Sequence, residues 1–286
     1  MLVPPHPHLS YVTSNSSIPG VSATNVSGTQ VTSGGSANTA GTWTQIHAGL
    51  TYPSECVVFR IGGVRTSGNV IAATTLNGYM DIGIGPSSGS VTTIAEKLSC
   101  SNSSGIGAVW FLPLRIPPDT IVWARFQCTA ASALSAVFFA AHGGNMNPGT
   151  MPSCTRIVAL GATSASTTGT AITPGASNAE GAWTQIVAST AEDYAGVMLS
   201  HLFNVDTTLT SELIGVGDVG VGGSGSEKVV GENITYSALT TANETRTSFH
   251  MPTFIGIKAA SRLCARYSGS LAADGTNSIM VYGLVH

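Results

Sequence analysis

Two aspartates occupy matching places in the chain, Asp81 in Asp81-Ile-Gly-Ile-Gly85 and Asp218 in Asp218-Val-Gly-Val-Gly222. Each has an arginine in a matching place too, Arg125 and Arg266. A carboxylate at the head of a strand with such a partner makes either a structural ion pair at a sheet end or a ligand contact. One acid matched to one base at each place favours the ion pair. Glycoside hydrolysis would ask for two carboxylates, one protonated and one ionised, at a set separation. Nothing in the sequence nominates Glu55, Glu96 or Asp119 as the second. Trp43 and Trp183 are of the type that stacks on sugars, yet each lies just before a strand-like Thr-Gln-Ile, a position that suits an aromatic anchor sealing a core. The core is the expectation.

Other reactive arrangements do not assemble. There is no H-E-x-x-H, no G-x-x-x-x-G-K-[ST] and no G-x-S-x-G elbow. Gly215-Val-Gly217-Asp-Val-Gly220 satisfies G-x-G-x-x-G, but more glycine follows it instead of a helix, so it reads as a strand with close backbone approach or a bulge. His6 and His8 flank a proline with no carboxylate or thiolate nearby to complete a metal shell. His47, His142, His201 and His250 are scattered, and His142-Gly-Gly reads as a turn at a strand end. The cysteines, Cys56, Cys100, Cys128, Cys154 and Cys264, are odd in number and lack both C-x-x-C spacing and matching positions, which predicts buried, reduced thiols. No catalytic, cofactor-binding or metal-binding residue is nominated.

The elements that carry these residues come in two sets. Gly41-Thr-Trp43-Thr-Gln-Ile46 recurs 140 positions later as Gly181-Ala-Trp183-Thr-Gln-Ile186. Thr29-Gln-Val-Thr32 matches Thr170-Ala-Ile-Thr173, Ala124-Arg125-Phe126 matches Ala265-Arg266-Tyr267, and Glu96-Lys97 is matched with Glu227-Lys228. Anchors in the same order at a period near 140 imply two similar folds in tandem, since that period is domain-sized. Segments such as Val57-Val-Phe-Arg-Ile61, Ile121-Val-Trp-Ala-Arg-Phe126 and Ser278-Ile-Met-Val-Tyr282 are rich in β-branched and aromatic residues and are bounded by turn formers. The fold expected is all-β: two tandem, internally duplicated β-sandwich or jelly-roll-like domains. Residues 1–10 form an extended N-terminal arm, 11–147 the first sandwich and 148–286 the second. The arm follows from Pro4, Pro5 and Pro7, which fix the backbone near polyproline II.

Composition narrows the partners. Only 9% of the residues are charged, far below the roughly 25% of ordinary domains, and the net charge is −3. With three lysines, Lys97, Lys228 and Lys258, a groove built on phosphate neutralisation is not expected, so no nucleic-acid partner is. The apolar stretches around 106–114 and 136–141 fall short of the roughly 20 residues a spanning helix needs, so no membrane partner is expected. The start, Met1-Leu-Val-Pro-Pro-His-Pro-His, lacks a basic region and an apolar run, so no secretory signal is read. So ion-sparse a chain suits packing against neighbours, where contacts cover faces that would otherwise aggregate.

The pattern Trp-Thr-Gln-Ile, then Ala191-Glu-Asp-Tyr194, then Asp218-Val-Gly-Val-Gly222 leading to Gly225-Ser-Glu227-Lys-Val-Val230, resembles the tandem β-sandwich structural proteins in virions of tailed bacteriophages. The likeness covers most of the second copy and more loosely the first, where Thr51-Tyr-Pro53 stands in place of Ala191-Glu-Asp. It implies a non-enzymatic capsid decoration (cement) protein, or alternatively a tail, fibre or baseplate component that binds host-surface glycans, and it carries over no catalytic residue. On the first reading the partners are the chain itself, as a homotrimer, and virion proteins such as the major capsid protein. Pro4, Pro5, His6, Pro7 and His8 would then be the partner-binding arm of a chain located in the virion after assembly in the host cytoplasm.

Overall fold

The computed structural model describes residues 12–13, 28–50, 53–62, 64–66, 76–101, 108–143, 153–161, 169–203, 213–238, 249–250, 252–270 and 277–286. Pro4, Pro5, His6, Pro7 and His8, and the boundary at 147/148, lie outside them. Short β-branched runs punctuated by Gly, Asn and Pro leave no room for helices, and the described residues form strands with one short 3-10 turn, Ser88–Ser90. No helix among them is long and apolar enough to cross a membrane.

The N-terminal half contains β1 (Val12–Thr13), β2 (Thr29–Thr32), β3 (Thr44–His47), β4 (Ser54–Ile61), β5 (Asn77–Ile84), β6 (Thr92–Ser101), β7 (Ala108–Leu112), β8 (Val122–Cys128) and β9 (Leu134–Gly143). The C-terminal half contains β10 (Arg156–Leu160), β11 (Thr170–Ile172), β12 (Thr184–Val187), β13 (Gly196–Phe203), β14 (Leu213–Val221), β15 (Lys228–Ala238), β16 (Phe249–His250), β17 (Leu263–Gly269) and β18 (Asn277–Val285). In the first half β1 and β2 pair with β9, which pairs with β4 and that with β7, while β3, β8, β5 and β6 pair in that order. In the second half β10 and β11 pair with β18, β18 with β13, and β12, β17, β14 and β15 pair in that order. Each half therefore has the two facing sheets of a jelly roll.

The halves agree in detail. β8 and β17 carry the same burial pattern, with alternate residues turned into a core. β5 and β14 shift register against their hairpin partners at corresponding places, Met80/Ile82 and Gly217/Val219, and β3 and β12 carry a bulge after Gln45 and Gln185. Gly28 and Gly169 have φ of +118° and +117°, and a Cβ there would lie 2.7 Å from the Val137 carbonyl and 2.6 Å from that of Ile279. Register also corrects one match read from sequence. Ala95 lies opposite Ile82 and Gly231 opposite Val219, so Glu96 corresponds to Glu232, not to Glu227.

The halves are joined through buried surface, not strung on a linker. β10 pairs in parallel with β6 at Ile157 and Ala95, and β16 pairs in parallel with β7. Along β18, Ile279 and Val281 enter the core of the C-terminal half, while the alternate residues Met280, Tyr282 and Leu284 enter a cluster dominated by the N-terminal half. Both faces of that sheet are thus covered, which is why Ser278-Ile-Met-Val-Tyr282 is a continuous apolar run without alternation. Tyr282 is the keystone. Its Oη donates to the Lys97 carbonyl at 2.7 Å and accepts from the Ser99 N–H at 3.2 Å, satisfying edge groups of β6 where Lys97, at φ +50°, bends the strand. Its ring meets Trp110 edge-on at 5.1 Å between centroids, and the Ser99 and Ser200 hydroxyls hydrogen-bond at 2.6 Å.

Candidate functional site

The aspartates and arginines singled out from sequence meet on the outer face of the β3-β8-β5-β6 sheet and on that of its counterpart. Asp81 on β5 is in register with Arg125 on β8, and Asp218 on β14 with Arg266 on β17. Paired residues of an antiparallel ladder share a face, so each acid lies beside its base. Arg125 Nε donates to Asp81 Oδ2 at 2.8 Å, and the Lys97 N–H donates to Asp81 Oδ1 at 2.8 Å. Arg266 donates to Asp218 Oδ2 from Nε at 3.0 Å and from Nη2 at 2.9 Å.

A tryptophan covers each pair. The Arg125 guanidinium lies 4.6 Å from the centre of the Trp43 ring, and Arg266 lies 4.5 Å from that of Trp183. Gly83 and Gly220 make this possible, because a Cβ there would come within 3.1 Å of the Trp43 ring and 2.9 Å of the Trp183 ring. The glycines of the Asp-x-Gly-x-Gly motif therefore provide a flat seat for an indole. This corrects the expectation for Trp43 and Trp183: both are half-buried covers on an outer face, not core anchors.

The second site has a member that sequence reasoning missed. Glu180 also pairs with Arg266, whose Nη1 donates to Glu180 Oε2. Desolvation, together with a hydrogen bond to the neighbouring Asp218 carboxyl, holds Glu180 above the ordinary glutamate range. Its place in the first half is taken by Ala40. The repeated motif hid it; the signal was that difference just before Gly41 and Gly181. In chemical terms both sites are closed. Each guanidinium is spent on its own aspartate and roofed by an indole, and the two aspartates lie on different sheets. They do not form one carboxylate pair; each makes the ion pair anticipated for it, but within its strand on a sheet face and not at a strand head or sheet end.

The other nominees disperse. Glu96 accepts a hydrogen bond from the Ala159 N–H at 3.4 Å, within the junction. Asp119 has φ +56° and borders a shallow open groove of about 490 Å³, with Ile84, Pro86, Ser90, Thr120 and Ile121 on its other sides. His47 is buried and accepts the Gly49 N–H on Nδ1 at 3.0 Å, and burial lowers its pKa. The five cysteines are unbridged, four buried and Cys56 half-buried; burial pushes Cys56 up to about 11 and Cys154 up to about 12. Among the described residues no group of three or more His, Cys, Asp and Glu could hold a metal ion. The side chains of His142, His201 and His250 lie outside the description.

No protein-family model matches the chain, and no curated protein matches it. Among solved structures it is similar to PNGF-II in its P21 crystal form, with a TM-score of 0.37 and 9% identity over 96% of this chain and 66% of that one. It is similar to a protein of the triple jelly-roll fold and turret assembly of an archaeal virus, with a TM-score of 0.24 and 10% identity over 90% of this chain and 58% of that one. It is also similar to peptide:N-glycanase F, with a TM-score of 0.30 and 7% identity over 90% of this chain and 95% of that one.

Proposed function

We propose that this chain is a non-enzymatic structural protein of a virion, most specifically a bacteriophage capsid decoration protein that binds the outer shell and bridges its subunits. The observation that carries the reading is the duplicated Asp–Arg–Trp arrangement. The most chemically suggestive residues in both halves, Asp81 with Arg125 and Asp218 with Arg266, are consumed in holding a sheet face under an indole. The buried junction adds support, because it turns two jelly rolls into one stiff body suited to spanning neighbouring subunits. Charge-poor surfaces can be covered without desolvating unpaired ions. Binding only to the assembled shell would stabilise it by mass action, and a homotrimer braced by the arm at Pro4, Pro5, His6, Pro7 and His8 would bridge several subunits at once.

The test is the position and stoichiometry of the chain in intact particles, followed by thermal melting of particles with and without it. Loss of particle occupancy on deleting residues 1–10 supports the arm as the clamp; unchanged binding counts against it. A second reading, a tail or fibre module that binds host glycans, draws on the loop-end groove beside Asp119, where hydroxyls of Ser90 and Thr120 adjoin apolar Ile84 and Ile121. Binding of the purified chain to a glycan array, lost on Asp119→Ala, would favour it over the first.

A further inference from the structure

The junction inside the chain uses two surfaces, and each has a twin left over at the far end. The receiving surface is the β6 edge with Tyr79 beside it; the inserting surface is the outer face of β13 and β18. By register, the twin of the receiving edge is β15, where Gly231, Glu232, Ile234 and Thr235 correspond to Ala95, Glu96, Leu98 and Ser99. The twin of the inserting face is the outer face of β4 and β9. There Val58, Arg60, Phe138 and Ala140 correspond to Met198, Ser200, Met280 and Tyr282.

Burial separates used from unused. Leu98, Met198, Met280 and Tyr282 are completely buried and Ser99 is 2% exposed. Their twins Ile234, Val58, Phe138 and Ala140 are only half-buried, and Arg60 and Glu232 are exposed. Among the described residues β15 ends its sheet, and Val229 on it is one of two exposed large hydrophobics. A row of unpaired backbone groups beside exposed apolar side chains is a template for another strand. Two units joined by a heterologous contact always leave one copy of each half unmatched, and a further identical unit satisfies them.

We propose that a second copy of this chain docks head to tail, its β4/β9 face against the β15 edge of the first, repeating between chains the junction made within one. The contact propagates to a closed ring or a filament according to the rotation at each step. The inference deepens the virion reading by naming the partner as another copy of the chain, but it is tested without particles.

The test uses two full-length variants. Ala140→Arg places a cation on the inserting face, and Thr235→Arg places one at the receiving edge, opposite the position of Arg60. Sedimentation should show self-association of the native chain, and each variant alone, folded by circular dichroism, should run as a monomer of 29.0 kDa. An equimolar mixture should give a dimer, since one intact face and one intact edge remain between the two. A monomeric native chain, or a mixture that stays monomeric, overturns the inference. As a second measurement, cysteines at Arg60 and Thr235 should cross-link between chains, with Ser99→Cys and Ser200→Cys as the intrachain control; closure of the control alone also overturns it. A native chain that stays monomeric yet still saturates particles sinks this inference and leaves the virion reading standing.

Discussion

Arg266→Ala and Arg125→Ala remove the same residue type from the same place in the two halves, yet the structure predicts unequal losses. Arg266 holds Asp218 with two donors and Glu180 with a third, and the Asp218 side chain is only 4% exposed. Removing it takes the counter-charge from a buried carboxylate that also lies beside the Glu180 carboxyl, which costs about 3 kcal/mol at the lower end of the range for broken buried pairs. Arg125 gives Asp81 one hydrogen bond, and Asp81, with its side chain 13% exposed, keeps the Lys97 N–H. Its loss should cost about 1.5 kcal/mol, combining a solvent-screened pair with the lost stacking on Trp43. At about 2–4 °C per kcal/mol for a chain of this order of size, the two melting temperatures should differ by a few degrees, with Arg266→Ala the lower. Urea titration at matched m-values gives the free energies directly. Adding Asp218→Asn to Arg266→Ala should recover part of the loss by removing the buried charge that no longer has its guanidinium. Equal losses for the two arginines, or no recovery in the double variant, would refute the claim that burial of Asp218 sets the difference.

Tyr282→Phe removes one hydroxyl that serves two groups of the β6 edge, and should cost about 1–3 kcal/mol while loosening one half from the other; calorimetry should show the unfolding transition broaden or split, and an unshifted single transition rejects the keystone role. His47 is held neutral by burial, below its usual 6.5, so the unfolded chain takes up its proton first as pH falls. Stability from this group is therefore present above about 6.5 and is lost as pH drops through the lower folded-state value. His47→Gln should flatten that limb of a stability profile between pH 7 and 5, and an identical slope in the variant contradicts it. At pH 8 a thiol reagent should find almost no reactive cysteine in the native chain, since burial pushes Cys56 and Cys264 up to about 11, and should titrate five under denaturant. Rapid reaction of two or more thiols in the native chain would show that they are not packed as described.

The strands and the pairing of Asp81 with Arg125 and of Asp218 with Arg266 were legible because they rest on local alternation and on motifs that recur. The role of Trp43 and Trp183 was misread for a physical reason. Type and spacing place an indole at the start of a strand but do not say which face it takes, and the deciding residues, Gly83 and Gly220, lie on a different strand. Glu180 was invisible because a motif-based search looks for what the halves share, and it is absent from the first half. The Glu96 match failed because the dipeptide Glu-Lys also occurs at Glu227-Lys228, where β15 begins, and only the ladder register identifies Glu232 as the twin of Glu96. The junction left one trace, the unbroken apolar run along β18, whose meaning as a sheet buried on both faces depends on what lies opposite.

The differences between the halves follow from which surfaces are permanently covered. Where the second half has Tyr282, the first has Ala140; where it has Met198 and Ser200, the first has Val58 and Arg60. The covered face carries Met198 and a phenol that answers two backbone groups of the receiving edge, whereas the open face has the smaller Val58 and Ala140 in their places, Phe138 in place of Met280, and a charge that water can solvate. A contact between chains built on Ala140 therefore lacks the two hydrogen bonds made by the Tyr282 hydroxyl and must be weaker than the one within the chain. Substituting Ala140→Tyr restores that phenol at the open end. If the two junctions are equivalent, the variant should associate more tightly than the native chain at equal concentration, and unchanged or weaker association would mean that the β15 edge does not present the groups that β6 does.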